Sequence, residues 1–139
     1  MRFTYPWSFL RPPEEGGILV PVLDVFLATG TTALVRERFL VDSGADMSMG
    51  PKWLCDSLGL TWQAGTPIEI RGISPRAECA VLATVHQVDL YIVEADLRVQ
   101  IPFCFAEGDV PLLLGREGLF DAFRVSFDKR DGVTVFESC

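Results

Sequence analysis

The chain has 139 residues and a formal net charge of −7, and 49% of its residues are hydrophobic. This length suits one domain with a real core and is too short for two substantial domains. The acidic balance argues against a nucleic-acid partner, because phosphates attract a basic surface. No segment approaches the ~18–20 apolar residues that span a bilayer, and the N-terminus lacks the apolar stretch of a secretory signal. We therefore expect a cytoplasmic protein without nucleic-acid or membrane partners.

The four cysteines are widely spaced and form no Cys-x-x-Cys pair, and His86 is the single histidine. A zinc site would need an unusual mixture of ligands, so we expect no metal and no cofactor. The cysteines are interpreted as reduced thiols, as is usual in the cytoplasm. His86 falls in an alternating strand pattern and is interpreted as a structural residue of the surface or the core.

Residues 1–17 are predicted to form an N-terminal arm. Residues 5–17 contain three prolines and two glycines, and both residue types favour turns and loops over regular structure. The remaining residues, 18–139, are assigned to a single domain.

The first half of this domain reads as two strands and a helix. Residues 18–28 form an apolar run, and residues 33–41 partly alternate, which is typical of strands. A short helix is predicted over residues 51–58. Pro51 suits a first helical position, and Gly59 suits the left-handed residue that ends a helix.

The second half of this domain is predicted to form mostly strands. A hairpin is expected from residue 67 to residue 93, with its turn around Gly72, and a further strand over 98–105. Asp131-Gly132 lies between two alternating apolar runs, which is a strong hairpin signal. The remaining predicted elements are a strand within 110–116, a brief helix at 117–120 and strands at 123–127 and 133–136. The chain is therefore predicted to be all-β with two short helices.

The stretch with the clearest chemistry is Asp42-Ser43-Gly44-Ala45. By itself Asp-Ser-Gly is also a common turn, because all three residues favour turns. Here it directly follows the apolar residues 39–41, which places a carboxylate at the end of a buried strand. Burying a charge is costly without a purpose or a partner, and glycine at 44 lets the backbone approach another group closely.

A second element is Leu112-Leu113-Leu114-Gly115-Arg116. Its Gly115 lies 73 residues after Asp42. Alone, it would be a core strand ending in a glycine turn. Together with Val41-Asp42-Ser43-Gly44-Ala45-Asp46 and the hairpin around Gly72, it resembles the retropepsin family of single-domain retroviral and retroviral-like aspartic proteases. The resemblance covers residues 18–137 and is to the cellular and bacterial branch. It implies a closed β-barrel of the acid-protease fold.

The resemblance also implies roles for individual residues. Asp42 would be the catalytic aspartate, in a loop completed by Ser43, Gly44 and Ala45. The Ser43 hydroxyl would tie two such loops together across a dimer axis. The other implied roles are substrate binding by Asp46, Gly72 and Ile73 and support of the site by Gly115 and Arg116.

Arg116 is expected to pair with Asp46 in a partly buried position, because a planar guanidinium matches a carboxylate bidentately. The sequence departs from the family pattern in three places. Ser43 replaces the commoner threonine, Met47-Ser48-Met49 is an unusual continuation, and the flap at 69–79 has one glycine and a proline.

Peptide hydrolysis of this type needs two carboxylates around one water. The chain holds no second Asp-Ser/Thr-Gly, since Asp56-Ser57 is followed by Leu58 and Asp131-Gly132 lacks the hydroxyl residue. A two-fold homodimer that pairs Asp42 from two chains supplies both groups. The expected function is therefore that of a homodimeric aspartic endopeptidase acting on a peptide or protein substrate.

Two alternatives stay open at this point. The domain could be a retropepsin-like module that no longer cuts and instead binds peptides or scaffolds a dimer. It could also be an unrelated small β-barrel in which Asp42 is a turn residue.

Overall fold

A computed structural model describes residues 1–30, 33–70 and 81–138 and shows a mostly β chain with two short helices. The helices are α1 (Lys52–Ser57) and α2 (Leu119–Ala122). The strands are β1 (Arg2–Pro6), β2 (Ser8–Phe9), β3 (Leu19–Val20), β4 (Val22–Thr29), β5 (Ala33–Val41), β6 (Ser48–Pro51), β7 (Thr66–Ile70), β8 (Val81–Ile92), β9 (Leu97–Ala106), β10 (Leu113–Leu114), β11 (Phe123–Asp128) and β12 (Val133–Ser138). None of the helices within these described ranges is long and apolar enough to cross a bilayer.

Six strands close into a barrel. Each is hydrogen-bonded to the next in the order β4, β5, β10, β6, β9, β8, and a further pairing of β4 with β8 completes the ring. Strand β7 adds to the outer edge of β8. Closure leaves the barrel strands paired on both sides. The prediction of an all-β closed barrel with two short helices is confirmed.

The barrel interior is filled by aliphatic and aromatic side chains. Phe39 is fully buried and meets Phe103 edge-to-face at 5.9 Å between ring centroids. Such pairs contribute about 0.5–1.5 kcal/mol beyond their burial. Val41, two residues after Phe39, is also buried. The end of β5 is therefore anchored in the core immediately before Asp42.

Helix α1 ends as predicted. Gly59 has φ of +71°, its N–H donates to the Asp56 carbonyl at 3.0 Å, and the Leu60 N–H donates to the Cys55 carbonyl at 3.1 Å. These two bonds form a Schellman motif, which turns the chain out of the helix. Pro51 is extended and precedes the helix rather than beginning it.

Residues 1–17, assigned from the sequence to an arm, form two strands. Strand β1 pairs antiparallel with β12, and the Phe3 ring stacks on the Phe136 ring at 4.8 Å. The alternation of Phe3 and Tyr5 toward the core explains this strand. The prolines of residues 1–17 made this strand difficult to predict, although Pro6 lies only at its last position. Strand β2 pairs with β3 and forms a small ribbon outside the barrel.

Strand β6 was not predicted. Its four residues, Ser48–Pro51, are all buried, because β6 lies between β9 on one side and β10 on the other. Burial on every side removes the alternation that identifies a half-exposed strand. Glycine and proline in the segment further hid it.

Candidate active site

Asp42 lies where strand β5 leaves the barrel. Its backbone N–H donates to the Leu114 carbonyl at 2.9 Å, and its Oδ1 accepts the Gly44 N–H at 2.9 Å. The side chain is partly exposed. The carboxylate is therefore held by its own loop while one face stays open to the surface.

The two sequence motifs lie side by side. In the parallel pairing of β10 with β5, Leu113 faces Leu40 and Leu114 faces Val41. The Leu40 N–H also donates to the Leu112 carbonyl at 3.0 Å. Segments more than seventy residues apart in sequence thus form adjacent strands that end together at Asp42.

Glycine is required at position 115. A Cβ there would lie 2.6 Å from the Met47 backbone carbonyl and 2.9 Å from the Ala45 carbonyl oxygen, so the two loops can approach only if residue 115 has no side chain. The Gly115 N–H donates to the buried Ser48 Oγ at 3.0 Å. Ser48 was not singled out from the sequence. The feature of the sequence that could have indicated its role is a single hydroxyl side chain between two methionines.

Arg116 links three residues of the Asp42 loop. Its Nη1 donates to the Ser43 carbonyl at 2.7 Å, its Nη2 donates to Asp46 Oδ1, and its backbone N–H donates to the Ala45 carbonyl at 2.9 Å. The contact of Arg116 with Asp46 was predicted. The bonds to Ser43 and Ala45 were not, since backbone acceptors leave no trace in the sequence.

The expectation that this ion pair is partly buried is wrong for Asp46. The Asp46 side chain is 83% exposed and that of Arg116 is 48% exposed. Water solvates both charges, so a surface pair of this kind contributes at most about 1 kcal/mol to stability. Its effect on the protein is therefore mainly to fix the shape of the loop.

A groove of about 480 Å³ opens beside Asp42. The Asp42 loop forms its polar side, and an apolar floor and wall form the rest. The lining residues are Asp42, Gly44, Ala45, Asp46, Met47, Met49, Ile68, Glu69, Ile70, Cys104 and Leu113. Strands β6, β7, β9 and β10 all contribute, so the barrel itself sets the shape of the groove.

Cys104 lies in the groove lining and is almost fully buried. Burial raises the pKa of its thiol to about 11. The nucleophilic form of cysteine is the thiolate, so Cys104 is an uncharged apolar surface near neutral pH. Among the described residues that line the groove, the remaining ionisable side chains are the carboxylates of Asp42, Asp46 and Glu69.

His86 does not line the groove. It is buried on β8, where its Nε2 lies 3.1 Å from Thr84 Oγ1 and its ring packs on Phe105. Burial lowers its pKa, opposed by a hydrogen bond to the Trp62 backbone. Its placement agrees with the interpretation as a structural residue and puts it in the core rather than on the surface.

Gly72 and Ile73, the predicted flap residues, lie outside the described residues. The strands on either side of them are described: β7 and β8 pair antiparallel, with Ile70 opposite Val81. Ile68 and Ile70 face the groove. Within residues 1–30, 33–70 and 81–138, no three His, Cys, Asp or Glu side chains are grouped so as to hold a metal ion.

No protein-family model matches the chain, and no curated protein matches it. Among solved structures, it is similar to a retropepsin-like aspartic protease from Rickettsia conorii. The two share 16% sequence identity over 98% of this chain and 90% of the other, with a TM-score of 0.64. The chain has the retropepsin-like fold. At this identity the likeness concerns the fold, and the chemistry must be argued from the residues around Asp42.

Proposed function

We propose that the protein is a homodimeric aspartic endopeptidase in which Asp42 from two chains activates one water. The observation that carries this proposal is the position of the partly exposed Asp42 in the lining of the groove. There its Oδ1 is oriented by the Gly44 N–H at 2.9 Å. Each chain holds one Asp-Ser-Gly, so a second chain is needed to complete the pair of carboxylates.

Two carboxylates a few ångströms apart share one proton, because like charges that close do not both ionise. The ionised member removes a proton from the attacking water, and the protonated member donates to the carbonyl oxygen of the peptide. The same groups then return a proton to the leaving amine as the C–N bond breaks. Activity should be highest at acidic pH and should fall as the shared proton is lost.

The groove supports a peptide as the substrate. Its apolar lining, which includes Met47, Met49 and Leu113, offers burial for side chains, while the exposed Asp46 carboxylate can accept backbone N–H groups of an extended peptide. Arg116 balances the charge of Asp46 and keeps it beside the groove. Ser43 is exposed, and its hydroxyl has no hydrogen-bond partner within the described part of this chain. A second Asp42 loop would supply one.

The decisive experiment replaces the ionisable group and keeps its shape. We expect Asp42→Asn to lower peptide-library cleavage by about 100- to 10,000-fold, the contribution typical of a positioned acid–base group. Asp56→Asn is the matched control, because Asp56 is the other aspartate followed by serine and lies exposed on α1. Equal cleavage by Asp42→Asn and wild type would rule out Asp42 as the catalytic residue.

A mixing experiment tests the shared dyad. Excess Asp42→Asn should draw wild-type chains into heterodimers with one ionisable member, so the activity per wild-type chain should fall as the variant is added. Excess Asp56→Asn should have no such effect. If wild type binds peptides as a dimer yet never cleaves them, the inactive peptide-binding alternative replaces the enzyme.

A further inference from the structure

The His86 imidazole is buried on the face of β8 that points away from the groove. It is 9% exposed, and its ring meets the Phe105 ring edge-to-face at 5.5 Å between centroids. The residue before it, Val85, is paired across the sheet with Cys104, which lines the groove. Because successive side chains of a strand point to opposite faces, the imidazole and the groove lie on opposite sides of the same sheet.

The ring contacts the turn that leads into β7. This turn is a short 3-10 helix, Trp62–Ala64, followed by Gly65, and we call it the 62–65 turn. The imidazole is hydrogen-bonded to the Trp62 backbone. A Cβ at position 65 would lie 2.3 Å from His86 Nε2 and 2.8 Å from its Cε1, so the ring fits directly against the Gly65 backbone. His86 therefore holds both ends of the 62–65 turn.

The 62–65 turn positions one wall of the groove. Strand β7 begins directly after Gly65, and it is paired with β8. In the sheet formed by the described residues, β7 is the terminal strand, so its position depends on β8 and on the turn. Ile68 and Ile70 of this strand line the groove that contains Asp42. A movement of the turn would therefore move an apolar wall of the groove.

The surroundings of the ring favour its neutral form. A neutral imidazole has one donor and one acceptor nitrogen, which suits its two partners, the Trp62 backbone and the Thr84 hydroxyl. Burial lowers the pKa of His86 from its ordinary value of 6.5, and the hydrogen bond to Trp62 opposes this. Protonation would place a charge in an apolar setting, and movement of the turn would relieve that cost by admitting water.

Within the part of the chain that the structure describes, no carboxylate contributes to the pKa shift of His86. The other titratable side chains of the elements around the ring are Lys52, Cys55 and Asp56 on α1, Glu69 on β7, Asp89 and Tyr91 on β8, and Arg98 and Cys104 on β9. Lys52 contacts the turn directly, with its ammonium 4.8 Å from the centroid of the Trp62 ring. A cation does not stabilise an imidazolium, so protonation of His86 gains no compensating partner there.

We infer that His86 is a positioning residue whose neutral ring holds the 62–65 turn and the β7 wall in place, and that protonation releases both and weakens peptide binding in the groove. This inference rests on the proposed function, which supplies the peptide. It separates two effects of pH, because the shared proton of the Asp42 pair governs turnover and His86 governs binding. Binding should be complete above pH 6.5 and should weaken as the pH falls through the folded-state pKa of His86.

The first test needs no variant, because His86 is the single histidine and its imidazole resonances can be followed by NMR without ambiguity. Between about pH 7.5 and about pH 4.5, its midpoint should lie below the ordinary value of 6.5. The amides of Gly65, Ile68 and Ile70 should change with the same midpoint, and those of the β11–β12 hairpin should not. Wall amides that do not follow the His86 midpoint overturn this inference and leave the proposed function standing.

The second test measures binding without the dyad. The probe is a fluorescein-labelled library peptide that the wild type cleaves, and its affinity for Asp42→Asn is measured by fluorescence anisotropy. The dissociation constant should rise as the pH falls, by up to about tenfold per pH unit, the limit for one linked proton. In Asp42→Asn/His86→Gln this rise should disappear, because the amide keeps a donor and an acceptor but does not titrate.

The double variant retains Glu69 and the other carboxylates, so it is also the control for their titration. The same rise in the dissociation constant with and without His86 overturns this inference and leaves the proposed function standing. Absence of peptide cleavage and peptide binding at every pH overturns the proposed function, and with it the effect on binding inferred for His86.

Discussion

Two aspartates near the end of strand β5 form ion pairs with arginine and differ in how far their side chains are buried. Asp24 pairs with Arg36 and Arg38, and Asp46 pairs with Arg116. The Asp24 side chain is 15% exposed and accepts three N–H groups from Arg36 and Arg38, the closest from Arg38 Nε at 2.8 Å. Asp46 is largely exposed, and Arg116 is its side-chain partner among the residues that the structure describes. The hydrogen bond from Arg38 holds the pKa of Asp24 below its ordinary value, with the charges of both arginines adding to it.

The comparison separates two uses of the same residue types. The Asp24 carboxylate is set into the barrel wall, where water is partly excluded and a charged hydrogen bond is stronger, while the guanidinium groups of Arg36 and Arg38 are exposed like that of Arg116. The Asp46 pair lies over the surface, where water weakens it. We infer that the first pair stabilises the fold and that the second fixes a loop.

The largest expected effect on stability comes from Asp24→Asn. The change removes the charge that two arginines share and should lower the free energy of unfolding by about 2 kcal/mol, as for hydrogen bonds to charged groups. Asp89→Asn is the matched control, because Asp89 lies 3.8 Å from Arg98 and has a more exposed side chain than Asp24. Urea unfolding at neutral pH measures both. Equal losses would mean that the three hydrogen bonds to Asp24 contribute no more than the single, longer contact of Asp89.

A smaller effect should appear in the dependence of stability on pH. The folded-state pKa of Asp24 is lowered from 3.8, so its contribution is complete above that pH and is lost as the pH falls through the folded value. In Arg38→Gln the main cause of the lowered pKa is absent. The difference in unfolding free energy between wild type and Arg38→Gln should be constant above about pH 5 and shrink below it. A difference that stays constant down to the acid transition would contradict the pKa shift.

The smallest effect on stability is expected for Arg116→Ala, at most about 1 kcal/mol. Its effect on cleavage should be much larger, on the order of 100-fold in kcat/KM, because a shift of about 1 Å in a catalytic group costs that much. Arg98→Ala removes an arginine of similar exposure and should change neither quantity appreciably. A loss of stability of several kcal/mol in Arg116→Ala would show that the pair is buried, for example by the second chain.

The sequence predicted the elements whose side chains alternate or whose ends carry a specific residue. Gly59 marked the end of α1, and Asp131-Gly132 marked the hairpin of β11 and β12. The contact between the Asp42 and Gly115 segments was implied by the family resemblance rather than by a local pattern. Helix α2 was placed two residues too early, at 117–120 rather than Leu119–Ala122, since its four residues carry almost no periodicity.

The sequence could not predict how far side chains are buried or which residues distant in sequence they contact. Arg116 and Asp46 were paired correctly, but the identities of the two residues do not indicate how far each side chain is exposed to water. The role of Ser48 depends on a backbone N–H 67 residues away. Strand β1 becomes a strand through β12 at the far end of the chain. Each of these features is set by packing between distant segments, which local patterns do not record.

The pairing of β1 with β12 also has a consequence for folding. The Trp7 indole N–H donates to Thr134 Oγ1 at 2.9 Å across a separation of 127 residues. During synthesis, β1 leaves the ribosome long before its partner exists, so the small sheet of β1, β12 and β11 forms only after β12 has been made. Contacts between such distant residues slow folding, because a large loop must close before they form. The nascent chain therefore carries an unpaired strand, with Phe3 and Tyr5 on one face, until residues 133–138 have been synthesised.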